Sequence, residues 1–539
     1  MAVRTDTNTP NEKKVVRFFA DWFEEIPYFR ENEEYCGFFS VPEDHIGRSI
    51  PWCLLKGEGS STVVFIHHCD CVPPDDYGGL EGLAHDPYAL EKALKEGKRD
   101  LRDSAKEDLL SGKWLFGHGV CDMKGGGAIQ MALMENYCRN KNFTGNIVLM
   151  SLPDEENLSA GMRAGVLLLD KLKNKYGLKY VLMLNSEPHG RDQSGHPAVY
   201  EGSVGKLMPV VYVRGKLAHA AQVFQGFNPI ALLAEIISRT ELEPSFTDKV
   251  ENTASPPPTW LYAKDSKDVY DVSLPLSACG YMSALNLNTP PEKVIEKLKK
   301  ICEDVFIDVL KRMDSNFCAF LSASGQEPRL LPWKVKVKLY EEIYEEAKKD
   351  FGQRFERDYA TSIEKVKMRF LNNEATLIDC VNALIDKVFE YVRDDLPTVV
   401  IALSPPYYPS VSNTMLKGQA ADNVHTALRD MAAFAKAEFG QDYQIVPYYF
   451  GISDLSYAMF VTAGADAKSI NCIERNMPLW KSLYYIPLDM IKKLSMPVVN
   501  IGPWGKDFHK YTERALKDDL FYKTPRLIDF VVSKVLSVV

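Results

Sequence analysis

The chain has 539 residues, 46% of them hydrophobic and 25% charged, with a formal net charge of −9. That length allows roughly two to four domains and a full buried core. Lys and Arg are spread along the chain in no dense run, which argues against nucleic acid or an anionic membrane surface as a partner.

The opening residues, MAVRTDTNTPNEKKVVRFF, contain no apolar core and no small-residue cleavage site, so no secretory signal is expected. No apolar run approaches the ~20 residues that cross a bilayer. Eleven cysteines lie between Cys36 and Cys472, none in a C-x-x-C pair. Reduced thiols in a cytoplasmic protein are expected.

Asn11 to Glu25 reads as a helix with Val15, Val16, Phe18, Phe19 and Trp22 on one side. Thr62 to His67 is a short continuous apolar run, as in a buried strand. A glycine cluster then opens a helix over Gly125–Tyr137. Strands over Asn146–Leu152 and Tyr180–Leu184 flank a helix over Val166–Asn174. Alternation of this kind predicts an α/β domain with a largely parallel sheet.

The pattern changes near Gly205. A strand over Leu207–Arg214, a helix over Pro229–Thr240, a loop at Asn252–Pro258, an extended run over Val272–Asn288 and a long helix from Pro291 to Met313 read as an α+β domain. Val335 to Arg357 is densely charged and reads as a solvated helix. Alternation resumes after Leu377, with a helix to Val392, a strand over Thr398–Leu403, a helix over His425–Phe439 and a strand over Gln444–Tyr449. One α/β domain, 1–205 with 375–539, is therefore expected to be split by an insertion over 206–374.

Acidic residues and histidines cluster at the ends of these strands, where α/β sheets place their ligands. His68-Cys69-Asp70 follows the first apolar strand. A histidine nitrogen is a good zinc ligand, and a nearby carboxylate can fix its ring. Asp122 stands among Gly117, Gly119, Gly125 and Gly126, which permit close backbone approach. Asp154-Glu155-Glu156 follows the next apolar strand. Three adjacent carboxylates repel one another unless a cation compensates them. Glu187-Pro188-His189 and His509 close the series. Singly, each motif also fits an ordinary loop or a solvated acidic turn.

Together, in this order from His68 to Glu513, the motifs resemble the M20 family of metallopeptidases and amidohydrolases. The segment from Gly205 to Asn228 is similar to the start of that family's lid, or dimerisation, domain. The contexts of His67–Asp70, Ser404–Pro409, Met477–Trp480 and Gly502–Arg514 narrow the resemblance to a subgroup linked to arginine utilisation.

The resemblance implies an α/β/α catalytic domain of the zinc-dependent exopeptidase type with an inserted α+β lid. It implies that His68, Asp122 and Glu187 hold one divalent ion, and that Asp122, Glu156 and His509 hold a second. Glu155 would be the general base, Asp70 the partner of His68, and His219 of the lid a donor to the oxyanion. Zinc suits ligands of this kind, as do manganese and cobalt. Cys69 and Cys121 are expected to be packing residues. The implied activity is cleavage of an amide bond in a small molecule or peptide, and a homodimer through the lid is the family pattern. Glu187, where aminopeptidases of the family often carry aspartate, favours a deacylase of N-acyl amino acids over an aminopeptidase or dipeptidase. A non-catalytic binding protein is disfavoured, since every candidate ligand and Glu155 are present. The chain departs from the family in carrying His118 where an arginine is usual, and in its enlarged insertion. Asp454 resembles a family loop residue near the site but reads equally as a turn residue.

Overall fold

The computed structural model describes residues 2–460 and 467–537. The chain divides into two compact units. The first comprises Met1–Val204, Pro409–Val461 and Pro487–Val539, and the second Gly205–Tyr408 and Thr462–Ile486.

An eight-stranded sheet organises the first unit. Its order is Cys36–Ser40, Ser49–Lys56, Thr144–Leu152, Glu58–His68, Lys179–Asn185, Val498–Asn500, Ala198–Tyr200 and Gln444–Val446. Glu58–His68 runs parallel to both of its neighbours, and Val498–Asn500 runs parallel to Lys179–Asn185. The two outer strands Cys36–Ser40 and Ser49–Lys56 are antiparallel, so the sheet is mixed around a parallel centre. Both faces of that centre are covered, which is why its strands read as unbroken apolar runs. Val63, Phe65, Ile147, Leu149, Leu182 and Leu184 face helices Lys14–Glu25, Lys124–Cys138, Gln419–Phe439 and Thr524–Ser537. Helix Ala160–Tyr176 covers the opposite face, where a Cβ on Gly165 would lie 3.5 Å from the side chains of Met150 and Leu152. The result is the expected α/β/α sandwich.

A second sheet organises the other unit, in the order Thr259–Asp265, Ser277–Asn286, Pro209–Arg214, Thr398–Leu403 and Val337–Leu339, with Gly205–Leu207 paired to Ser277–Asn286. Helices Pro229–Thr240 and Pro291–Ala323 pack on each other. Helices Tyr340–Phe351, Gln353–Leu371 and Leu377–Phe389 form a core with Val210, Tyr212, Val400 and Ala402.

Two expectations are corrected here. The charged stretch 335–357 is no solvated helix, because Tyr340, Ile343, Ala347 and Phe355 are buried in that core. Its charges occupy the other helical face. The insertion also does not end at Glu374. Strand Thr398–Leu403 pairs antiparallel with Pro209–Arg214, so the second unit runs on to Tyr408. Helix Ala467–Asn476 belongs to it as well. Among the described residues no helix is long and apolar enough to cross a membrane.

Candidate metal centre

The parallel strands of the first unit end side by side, and their loops carry the acidic and histidine residues. Glu58–His68 ends on His68 itself. Lys179–Asn185 leads to Glu187, and Thr144–Leu152 leads to Asp154-Glu155-Glu156. Asp122 lies between strand Trp114–Phe116 and helix Lys124–Cys138. His509 lies between strands Gly505–Lys506 and Arg514–Leu516. The helix starts so close to the strand ends that a Cβ on Gly126 would lie 2.2 Å from the Ser186 carbonyl oxygen, and one on Gly127 would lie 2.7 Å from the His67 ring. Only glycine permits that approach. Buried Gln130 ties the layers together, donating to the Ile66 carbonyl at 2.8 Å and the Ser186 hydroxyl at 2.9 Å, with its Oε1 3.0 Å from His67 Nδ1.

His68 Nδ1 donates to the carbonyl oxygen of Asp70 at 3.0 Å. A carbonyl only accepts, so Nδ1 carries a proton and Nε2 is turned to the acidic side. There Nε2 lies 3.0 Å from Asp122 Oδ1 and 3.6 Å from Glu187 Oε1. His509 Nε2 lies 3.1 Å from Asp122 Oδ2 and 3.1 Å from Glu156 Oε1. Asp122 thus turns one oxygen to each histidine. His68, Asp122 and Glu187 each bring a ligand atom within 4.8 Å of the others, and so do Asp122, Glu156 and His509.

The electrostatics are strained in one direction. Burial, reinforced by Asp122, pushes the Glu187 carboxyl well above the usual carboxylate range. Burial raises Glu155 likewise, with Glu187, Asp454 and Glu156 adding to it against the opposing pull of His68. Glu156 is raised by burial and by Asp122. The His509 ring is pushed up to about 11 by its bonds to Asp122 and Glu156. Burial alone would lower His68, but Glu187, Asp122 and Asp70 outweigh it and hold the ring above its ordinary value. Crowded acidic groups with two imidazoles and no thiolate among the donors have the composition of a site for hard or borderline divalent cations.

A second layer fixes these groups. The Asp70 carboxylate accepts the backbone N–H groups of Glu155 and Glu156, both at 3.1 Å, and its Oδ1 is 3.6 Å from His68 Nδ1. Asp70 therefore orients the acidic turn as well as the ring. Buried Arg48 binds Asp154 at 2.5 Å, Asp44 at 2.6 Å and Glu12 at 2.9 Å. Glu513 accepts the backbone N–H groups of Gly119, Cys121 and Asp122 at 3.1, 3.1 and 3.2 Å. Sequence reasoning registered Glu513 only as the end of the pattern and missed Arg48 and Gln130. No periodicity or spacing marks them.

The remaining candidates are placed as follows. His219 lies in the second unit, exposed, with its Nδ1 accepting the Ala221 N–H at 3.1 Å. His118, the departure from the family arginine, is buried. Its Nε2 donates to the Val72 carbonyl at 2.6 Å, and its ring packs edge-on to Tyr77 and His85. Asp454 is buried, and burial raises its carboxyl to about 7. Cys69 and Cys121 donate through sulfur to the Leu152 carbonyl and the Glu513 carboxylate, both at 3.4 Å, and belong to neither ligand set.

Comparison with known proteins adds a lineage to this geometry. Residues 64–427, more than half of the chain, match the peptidase family M20/M25/M40. Protein RocB of Bacillus subtilis is 27% identical over 525 residues, covering 94% of this chain and 89% of RocB. A succinyl-diaminopimelate desuccinylase of Methylorubrum populi is 25% identical over 244 residues, 45% of this chain and 55% of the enzyme. Among solved structures, Bacillus subtilis YxeP, a dinuclear metal-binding peptidase of the M20 family, superposes with a TM-score of 0.50 at 12% identity, over 100% of this chain and 96% of YxeP.

Proposed function

The chain belongs to the peptidase family M20/M25/M40 and is an M20-type metal-dependent hydrolase of amide bonds; on that premise we propose that it removes the acyl group from an N-acyl amino acid or related amine, within arginine utilisation, with two divalent ions, zinc in the first place. The observation that carries the reading is Asp122, whose two oxygens lie 3.0 and 3.1 Å from His68 and His509. The donor set fits the ions: His68 and Glu187 with one oxygen of Asp122 would hold the first, and Glu156 and His509 with the other oxygen would hold the second. A pair of divalent ions supplies polarisation of the scissile carbonyl and acidification of the attacking water.

The chain's own residues do the rest. Glu155, the chain neighbour of Glu156 on the acidic turn that Asp70 holds, is taken as the general base on the family resemblance: it would accept a proton from the attacking water and hand it to the leaving nitrogen. The Asp70 carboxylate holds Glu155 and Glu156 in place through their backbone N–H groups. His219 is retained as the donor to the oxyanion on the family resemblance alone. Glu187 and the likeness to a desuccinylase support the deacylase over the peptidase. Eleven free cysteines support a reducing, cytoplasmic setting.

The test is metal analysis of the purified protein, followed by assay of the loaded form against N-acyl amino acids and dipeptides. Two ions per chain with acyl release are expected. Dipeptide cleavage in its place would move the assignment to an aminopeptidase or dipeptidase. Failure to take up zinc, manganese or cobalt would sink the assignment.

A further inference from the structure

We propose that Arg514 is the positioning residue for His509, and that it governs how tightly the Asp122–Glu156–His509 side of the centre retains its cation. The inference rests on the two-ion reading above and assigns a role to a side chain outside both ligand sets.

His509 needs such support. Its side chain is 45% exposed, so packing does not hold it. Its backbone and that of Asp507 are both left-handed, with φ of 63° and 56°. Non-glycine residues seldom adopt that conformation unless their surroundings impose it. The surroundings here converge on one guanidinium. Arg514 is 1% exposed. Its Nη1 donates to Asp507 Oδ2 at 2.5 Å and to the Thr512 carbonyl at 2.9 Å, and its Nε donates to Asp108 Oδ2 at 2.7 Å. One planar group therefore ties the start of the loop, its end and a helix of the first unit.

Smaller contacts complete the loop. The Thr512 hydroxyl donates to the same Asp507 oxygen at 2.9 Å, and the Lys510 N–H donates to the Asp507 carbonyl at 3.1 Å. Lys506 pairs with Asp108 at 2.9 Å, so the two carboxylates meet two cations. Arg514 is itself anchored by pairing with Phe116 across the strands, and its guanidinium lies 5.6 Å from the Phe116 ring centre.

Residue types and neighbours make the assignment specific. A lysine offers a point charge and cannot span two carboxylates and a carbonyl as the fork of arginine does. The preceding residue, Glu513, binds the backbone around Asp122. Adjacent side chains thus serve different ligands. Glu513 orients the carboxylate shared by both sides, and Arg514 orients the histidine of one side.

The experiment titrates zinc into the full-length metal-free protein against a chromophoric chelator, resolving the two binding steps, for the wild type, Arg514→Lys and Asp507→Asn. Asparagine tolerates the left-handed backbone as aspartate does, so Asp507→Asn removes the charge and leaves the fold. In both variants the weaker step is expected to loosen by about 10–100-fold, the range seen when partners of a ligand are removed. The tighter step should stay at wild-type strength, and the metal-free Asp507→Asn protein should melt with the wild type. Variants that keep both steps at wild-type affinity, or that weaken both steps equally, would overturn the assignment of Arg514 alone. A wild type that takes up no zinc would overturn the two-ion reading and this inference with it.

Discussion

The two histidines of the centre present the same atom to the same aspartate, yet the chain builds them by different means. His68 ends a central strand that is hydrogen-bonded on both sides, and it is 1% exposed. His509 rides on a loop with a left-handed backbone and a 45% exposed side chain. In the first case the sheet's backbone ladder sets the position of the ring. In the second, the charged contacts of Asp507, Asp108 and Arg514 set it. A backbone ladder is cooperative and insensitive to single side chains, whereas a side-chain clamp can be tuned or lost by one substitution.

The largest expected effect probes Glu155. Glu155→Gln should lower turnover by about 10²–10⁴-fold, the worth of a positioned general base, while both ions remain. Steady-state kinetics and metal analysis on the same sample check this, and loss of metal along with turnover would make Glu155 a ligand instead. A smaller contrast separates the halves directly. After dialysis, His509→Ala should retain a single ion, whereas His68→Ala, which strips the buried half, should retain less. Equal metal content in the two variants would break the distinction between a strand-held and a loop-held ligand.

The mildest effect is on acid stability. Burial holds His67 and His189 neutral down to about 4, and His85, which packs against His118, down to about 3. In the unfolded chain these rings take up protons from about pH 6.5. The unfolded state therefore binds more protons between those values, and the histidine contribution to stability is present above pH 6.5 and lost as pH falls toward 4. His85→Leu should flatten that slope, read as the change in urea midpoint between pH 7 and pH 5. An unchanged slope would show that this ring does not contribute to it.

Legibility along the chain follows the same division. Central strands such as Glu58–His68 and Thr144–Leu152 announce themselves as apolar runs, because both of their faces are covered. The outer strands Cys36–Ser40 and Ser49–Lys56 leave no such mark. The first is partly exposed along its length, and the second contains Pro51, which weakens a run as a strand signal. Strand Thr398–Leu403 is legible as a strand, but its run of buried residues could join either sheet. Only its antiparallel pairing with Pro209–Arg214 assigns it to the second unit.

By itself, the sequence determined the kinds of donor and their places at strand ends, because burial periodicity and residue chemistry are local properties that survive in one dimension. Tertiary structure alone decided which groups hold those donors still. Glu513 reaches Gly119 across 394 positions, and Arg514 reaches Asp108 across 406. Hydrogen bonds between such distant residues obey no spacing rule, since the fold as a whole, and no local pattern, brings the partners within reach.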